Sequence, residues 1–108
     1  MKYDLVILGA GAAGLMAAIT ASLRNRSVLV IERSNKVGKK ILMSGGGRCN
    51  FTNTDLEFDN FLSKNKHFCK SALSRYTAWD FIDLVKQHGI DFEERKHNQL
   101  FCVHSAKD

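Results

Sequence analysis

The chain has no proline, one tryptophan and three cysteines, and no aromatic residue stands between Tyr3 and Phe51. Each scarcity excludes something. Without proline, tight turns fall to glycine, and seven of the eight glycines lie in the first fifty residues. Cys49, Cys69 and Cys102 form no CxxC pair, and an odd number makes a poor disulfide framework. A reducing, cytoplasmic compartment follows. His67, His88, His97 and His104 lack ligand spacing such as HxxxH, so no metal is expected. Acids are scarce in the first half, where eight Lys/Arg face only Asp4 and Glu32. With no stacking platform among those charges, the excess suits a compact anionic ligand, and no nucleic acid is expected. A solvated basic surface is the plain alternative. The uncharged run Leu5–Leu23 reaches membrane-span length. Asp4 in front of it and Gly9, Gly11 and Gly14 within it argue against a span or a signal peptide, so no membrane is expected.

A length of 108 residues suits one domain. Tyr3–Leu8 is a short apolar run of the kind buried in parallel sheets. Gly9-Ala-Gly11-Ala-Ala-Gly14 follows, and Ala12–Leu23 is rich in good helix formers. Asn25 can end that helix in the left-handed conformation. Ser27–Ile31 then reads as a second buried strand with Glu32 at its end.

A strand, a GxGxxG turn, a helix and a strand ending in an acid make a βαβ unit over residues 3–32, the dinucleotide-binding fingerprint. In that fingerprint Gly9 permits the turn, Gly11 admits the pyrophosphate and Gly14 lets helix and strands approach. The helix amino-terminus offers N–H groups to phosphate, and Glu32 offers its carboxylate to ribose hydroxyls. Glu32 disfavours a 2′-phosphate while Arg33 could accommodate one, so FAD, NAD and NADP all stay open on these residues.

A second glycine cluster, Ser44-Gly-Gly-Gly-Arg-Cys-Asn50, stands within a glycine-rich loop over 38–53. Glycine-rich turns can form anion-binding concavities, and Arg48 can add a charge-assisted contact. Cys49 has no resolving partner nearby and reads as a small packed residue. Asn50, Thr52 and Asn53 suit either a ligand or a turn.

These motifs together, GAGAAG, Glu32-Arg33, GKKILMSGGGRCNFTN, RYTAWDFIDLVKQHGI and QLFC, resemble the amino-terminal region of the bacterial YhiN/BaiN-type NAD(P)/FAD-dependent oxidoreductases. The resemblance spans essentially the whole chain. It implies an α/β, Rossmann-like FAD/NAD(P)-binding domain of glutathione-reductase type, with FAD as cofactor and NAD(P)H as reductant. It implies an unidentified small-molecule substrate. It sets Gly9, Gly11, Ala13 and Gly14 at the pyrophosphate, Glu32 and Arg33 at the adenosine, and Lys40, Ser44, Gly45, Gly46, Gly47, Arg48 and Asn50 along the remainder. No residue is marked as catalytic.

Thr77-Ala-Trp-Asp80 has capping-box form, and Gly89 stands where the following helix would stop. An earlier helix near His67–Arg75 completes a helical segment over about 60–88. Residues 91–104 read as a hairpin with a polar turn. Ser105 looks like a helix cap followed by only three residues. Relatives of the resembled family are longer, so the domain is expected to be incomplete at its carboxyl end. The alternative function is a truncated, non-catalytic product serving at most as a nucleotide-binding or interaction module.

Overall fold

The computed structural model describes residues 1–108. The chain forms two compact units, Met1–Ser44 and Gly45–Asp108. The reason is topological, since each unit has its own sheet and they share no strand. Each is described by itself.

In the first unit, β1 (Leu5–Leu8) and β2 (Val28–Ile31) pair in parallel, Leu5 opposite Val28 and Leu8 opposite Ile31. Parallel strands need a long crossover, supplied by α1 (Ala12–Leu23). This is the α/β arrangement expected. The sheet is locked at its leading end by Asp4 and Ser27: the Asp4 N–H donates to Ser27 Oγ and the Ser27 N–H to Asp4 Oδ2, both at 2.9 Å. Asn25, at φ 57°, takes the left-handed conformation after α1, and its N–H donates to the Ser22 carbonyl at 2.9 Å. A short helix, α2 (Lys39–Met43), starts after Gly38, whose φ is 64°.

The second unit is a three-stranded antiparallel sheet built from β3 (Asn50–Asn53), β4 (Phe92–Glu94) and β5 (Gln99–Cys102), with β5 in the middle. Helices α3 (Lys70–Arg75) and α4 (Ala78–Gln87) lie between β3 and β4 in sequence. Thr77 caps α4 as its sequence predicts: Thr77 Oγ1 accepts from the Asp80 N–H at 3.2 Å, and the Thr77 N–H donates to Asp80 Oδ2 at 2.8 Å. Ala78, Ile82 and Val85 recur at helical spacing and are buried, as are Leu100 and Phe101 of β5. Full burial of each larger aliphatic side chain contributes about 1.5–3 kcal/mol. Phe51 joins the strands to α4, with ring centroids 5.8 Å from Phe81 and 5.7 Å from Phe92. The β4–β5 turn is sharp, with His97 at φ 60° and Asn98 at φ 62°.

The segment 38–53, read from sequence as one glycine-rich loop, instead holds α2, a tight turn over Gly45–Gly47 and strand β3. Its strand partner explains the difference. Thr52 pairs with Leu100 and Asn53 with Gln99, a pairing too distant along the chain for local composition to reveal.

Candidate functional site

The GxGxxG turn connects β1 to α1 and is held from three directions. The Gly9 N–H donates to the Ile31 carbonyl at 2.7 Å, tying the turn to β2. The Ala10 N–H donates to Glu32 Oε1 at 2.8 Å, and the Gly38 N–H donates to the Ala10 carbonyl at 2.8 Å. Ala10 is 2% exposed, and Gly38 is buried as well.

The three fingerprint glycines do different things. Gly9 has φ 103°, a conformation closed to most side chains. A Cβ on Gly14 would lie 1.9 Å from the Gly9 carbonyl oxygen, so α1 touches the turn backbone directly. A Cβ on Gly11 would meet nothing within 4 Å, and the same holds at Gly9. The turn therefore faces open space where the two glycines lack side chains. The first intrahelical bond of α1 runs from Leu15 to Gly11 at 2.9 Å, and the N–H groups of Ala12, Ala13 and Gly14 precede it without an acceptor in the chain. That is a cradle for an anion: free N–H groups at the positive end of a helix, with room in front. A dinucleotide pyrophosphate fits it.

Glu32 proves busier than the fingerprint alone suggests. Its Oε1 holds Ala10, and its Oε2 accepts from the Ser34 N–H at 2.8 Å. The Ser34 and Ala10 N–H groups hold its carboxyl below the ordinary range, so it stays ionised. A carboxylate has about four acceptor positions, which leaves room for ribose hydroxyls beside these two bonds. Arg33 and Lys40 are exposed, and Ser44 uses its hydroxyl to donate to the Ile41 carbonyl at 2.9 Å, closing α2. Ser34, Ala10 and Gly38 are absent from the residues expected by sequence. Ala10, lying inside GxGxxG, and Gly38, at the start of the glycine-rich stretch 38–53, carried a signal there, and Ser34 carried none.

The second glycine turn belongs to the other unit, and its geometry is internal. Gly45, Gly46 and Gly47 have φ of 58°, 64° and 89°, and Cys49 follows at 51°. A Cβ on Gly45 would lie 2.5 Å from Asn50 N and 2.9 Å from Phe101 Cε1, so glycine is needed there for close approach to β5. Gly46 and Gly47 face open space. The Arg48 guanidinium donates to the Val103 carbonyl, and the Arg48 carbonyl accepts from the Cys102 N–H at 2.9 Å. With its amide nitrogen facing them, Asn50 donates to the Thr52 and Leu100 carbonyls, both at 3.2 Å. Arg48 and Asn50 thus have partners within the unit. Burial pushes the Cys102 thiol up, with Cys49 adding to the effect, which suits an unreactive thiol. No group of side chains in the chain assembles a metal site, and no helix is long and apolar enough to cross a membrane.

Residues 3–108 match the family model of the HI0933-like protein Rossmann domain. Among known proteins, the ribosomal RNA dihydrouridine synthase of Escherichia coli strain K12 is 56% identical over 106 residues, which are 98% of this chain and 26% of that protein. The ribosomal RNA dihydrouridine synthase of Haemophilus influenzae is 52% identical over 94% of this chain and 25% of its own length. A more distant relative, the 3-dehydro-bile acid delta(4,6)-reductase of Clostridium scindens, is 30% identical over 82% of the chain and 22% of its length. The chain spans about a quarter of the length of these relatives.

Two of those names specify an RNA substrate, which overturns the expectation of a small-molecule substrate with no nucleic acid. The physical reason is that residues 1–50 lack a stacking platform without the rest of the molecule having to lack one, because an enzyme acting on RNA can hold its cofactor in one region and its RNA in another.

Proposed function

The chain belongs to the HI0933-like Rossmann-domain family, of flavoprotein type, and from that premise we propose that it forms the FAD-binding portion of an oxidoreductase that reduces uridine in ribosomal RNA to dihydrouridine. The observation that carries the substrate is the 56% identity over 98% of the chain to an enzyme named for that reaction. The geometry of the GxGxxG turn supports the cofactor. NAD(P)H is the proposed reductant, and the three free cysteines suit the cytoplasm.

The balance is simple. The uracil 5,6 double bond gains one hydride and one proton, and NAD(P)H is oxidised to NAD(P)+. FAD, when bound, supplies the two-electron chemistry that couples these two half-reactions. This chain's residues bind and orient. Gly9, Gly11, Ala13 and Gly14 receive the pyrophosphate at the open turn, where the Ala12–Gly14 N–H groups are free to donate. Glu32 holds the turn through Ala10 and keeps acceptor positions for the adenosine ribose, with Arg33 beside it and Lys40 adding positive charge. Gly45, Gly46, Gly47, Arg48, Asn50 and Ser44 enter the proposal through the family resemblance alone.

The test uses the whole protein and ribosomal RNA from cells lacking its gene. Purified protein should carry FAD, and with NAD(P)H it should add two hydrogens to a uridine, read by mass spectrometry of RNA digests. A flavin-loaded protein that oxidises NAD(P)H and leaves the RNA mass unchanged would refute the substrate. A protein unable to bind FAD would refute the cofactor.

A further inference from the structure

The second unit carries nine Lys/Arg and nine Asp/Glu, yet these charges are segregated. Lys64, Lys66, Lys70 and Arg75 fall within residues 60–79, a stretch without a single acid. All four are exposed, and none lies within ion-pair distance of a carboxylate. Among them stands Phe68, 54% exposed and packed edge-on against Phe61 at 6.5 Å between centroids.

The segment is held in place by its own turns. The His67 N–H donates to Asn65 Oδ1 at 3.0 Å, the Phe68 N–H to the Asn65 carbonyl at 3.2 Å and the Lys70 N–H to the His67 carbonyl at 3.3 Å. Cys69, 6% exposed, pins the middle into the core. Three lysines within seven residues are thereby presented on a folded backbone, which lowers the ordering cost of binding.

Free cations with an exposed aromatic ring among them match the chemistry of single-stranded RNA: phosphates for the charges and an unstacked base for the ring. A duplex offers no free base face, and reducing a pyrimidine ring requires that the base leave its stack. We infer that residues 61–76 form a single-stranded RNA contact surface, in which Lys64, Lys66, Lys70 and Arg75 take phosphates and Phe68 stacks on a base. This rests on the RNA reading proposed above and adds where the RNA is held.

The experiment compares the whole, flavin-loaded protein with a variant carrying Lys64→Gln, Lys66→Gln and Lys70→Gln, using fluorescein-labelled oligouridylate over a salt series. Loss of three phosphate contacts lowers the slope of log affinity against log salt by about 2 for a single strand. Between about 50 and about 200 mM salt the wild type should therefore lose about 20-fold more affinity than the variant. Phe68→Ala should weaken binding roughly 5- to 150-fold without changing that slope. Flavin content and NAD(P)H oxidation should stay unchanged in the lysine variant, whose altered side chains are all exposed. Wild-type binding with an identical slope and affinity in the lysine variant would overturn this surface alone. A wild type that neither binds oligouridylate nor alters ribosomal RNA would overturn the functional reading, and this surface with it.

Discussion

Replacing Gly14 and Gly11 separately by alanine should split two jobs that the fingerprint assigns to glycine. At Gly14 the new Cβ would stand 1.9 Å from the Gly9 oxygen, with Ile7 Cγ2 at 3.3 Å. Close carbon–oxygen contacts lie near about 3.3–3.6 Å, so backbone must move by roughly 1.5 Å. The Gly9 carbonyl has little freedom to give way. Its own N–H is bound to Ile31, and the next residue, Ala10, is held by both Glu32 and Gly38. The strain therefore goes into separating α1 from β1, and overpacking of this kind costs about 1–3 kcal/mol.

Gly11 is the opposite case. Its φ of −86° is open to any residue and its Cβ would touch nothing, so the cofactor-free protein should lose at most about 1 kcal/mol at this N-cap. On the function proposed above, the methyl group would nevertheless fill space that the pyrophosphate takes. Losing one charge-assisted hydrogen bond there, at about 1.5–3 kcal/mol, weakens FAD binding about 10- to 150-fold. Thermal melts of the whole protein with and without FAD read both effects. At a free concentration one hundred times the wild-type Kd, FAD adds about 2.7 kcal/mol to the wild type and about 0.4 kcal/mol to a variant binding 100-fold more weakly. Gly14→Ala should melt low with or without FAD, while Gly11→Ala should melt normally without it and gain little from it. Wild-type FAD affinity in Gly11→Ala would refute the placing of the pyrophosphate on this turn.

Two further outcomes follow from the same geometry. The Glu32 carboxyl, ordinarily near 4.5, is lowered in the folded chain, so its contribution is complete above the unfolded value and disappears as pH falls through the folded one. Glu32→Gln should lower stability at neutral pH and flatten the acid limb of a urea-midpoint profile; parallel profiles for both proteins would sink the idea. In the second unit, Gly45→Ala and Gly46→Ala share a left-handed backbone penalty of about 1–2 kcal/mol. Gly45→Ala adds a clash with Asn50 N and Phe101, costing about 1–3 kcal/mol more. Equal losses in urea unfolding would contradict the close approach to β5.

What could be read from the sequence was local, and what could not was pairing at a distance. β1, α1 and β2 emerge from it because apolar runs, helix formers, Asn25 and the glycine turn are contiguous signals. The α4 cap is equally local, since Thr77 and Asp80 sit three residues apart. β3 is different: Asn-Phe-Thr-Asn is too short and too polar at its ends to declare itself, and its partner, β5, lies on the far side of two helices. The same limit governs the two glycine clusters, which look alike as sequence. At Gly9–Gly14 the open space in front of Gly9 and Gly11 and the unpaired helix N–H groups give glycine a reason that points outward, which is where the proposed cofactor would lie. At Gly45 the reason points inward, to the Phe101 ring. A run of glycines reports that something comes close to the backbone; only the fold distinguishes a cofactor from a neighbouring strand, and in this chain Gly45 answers to the strand.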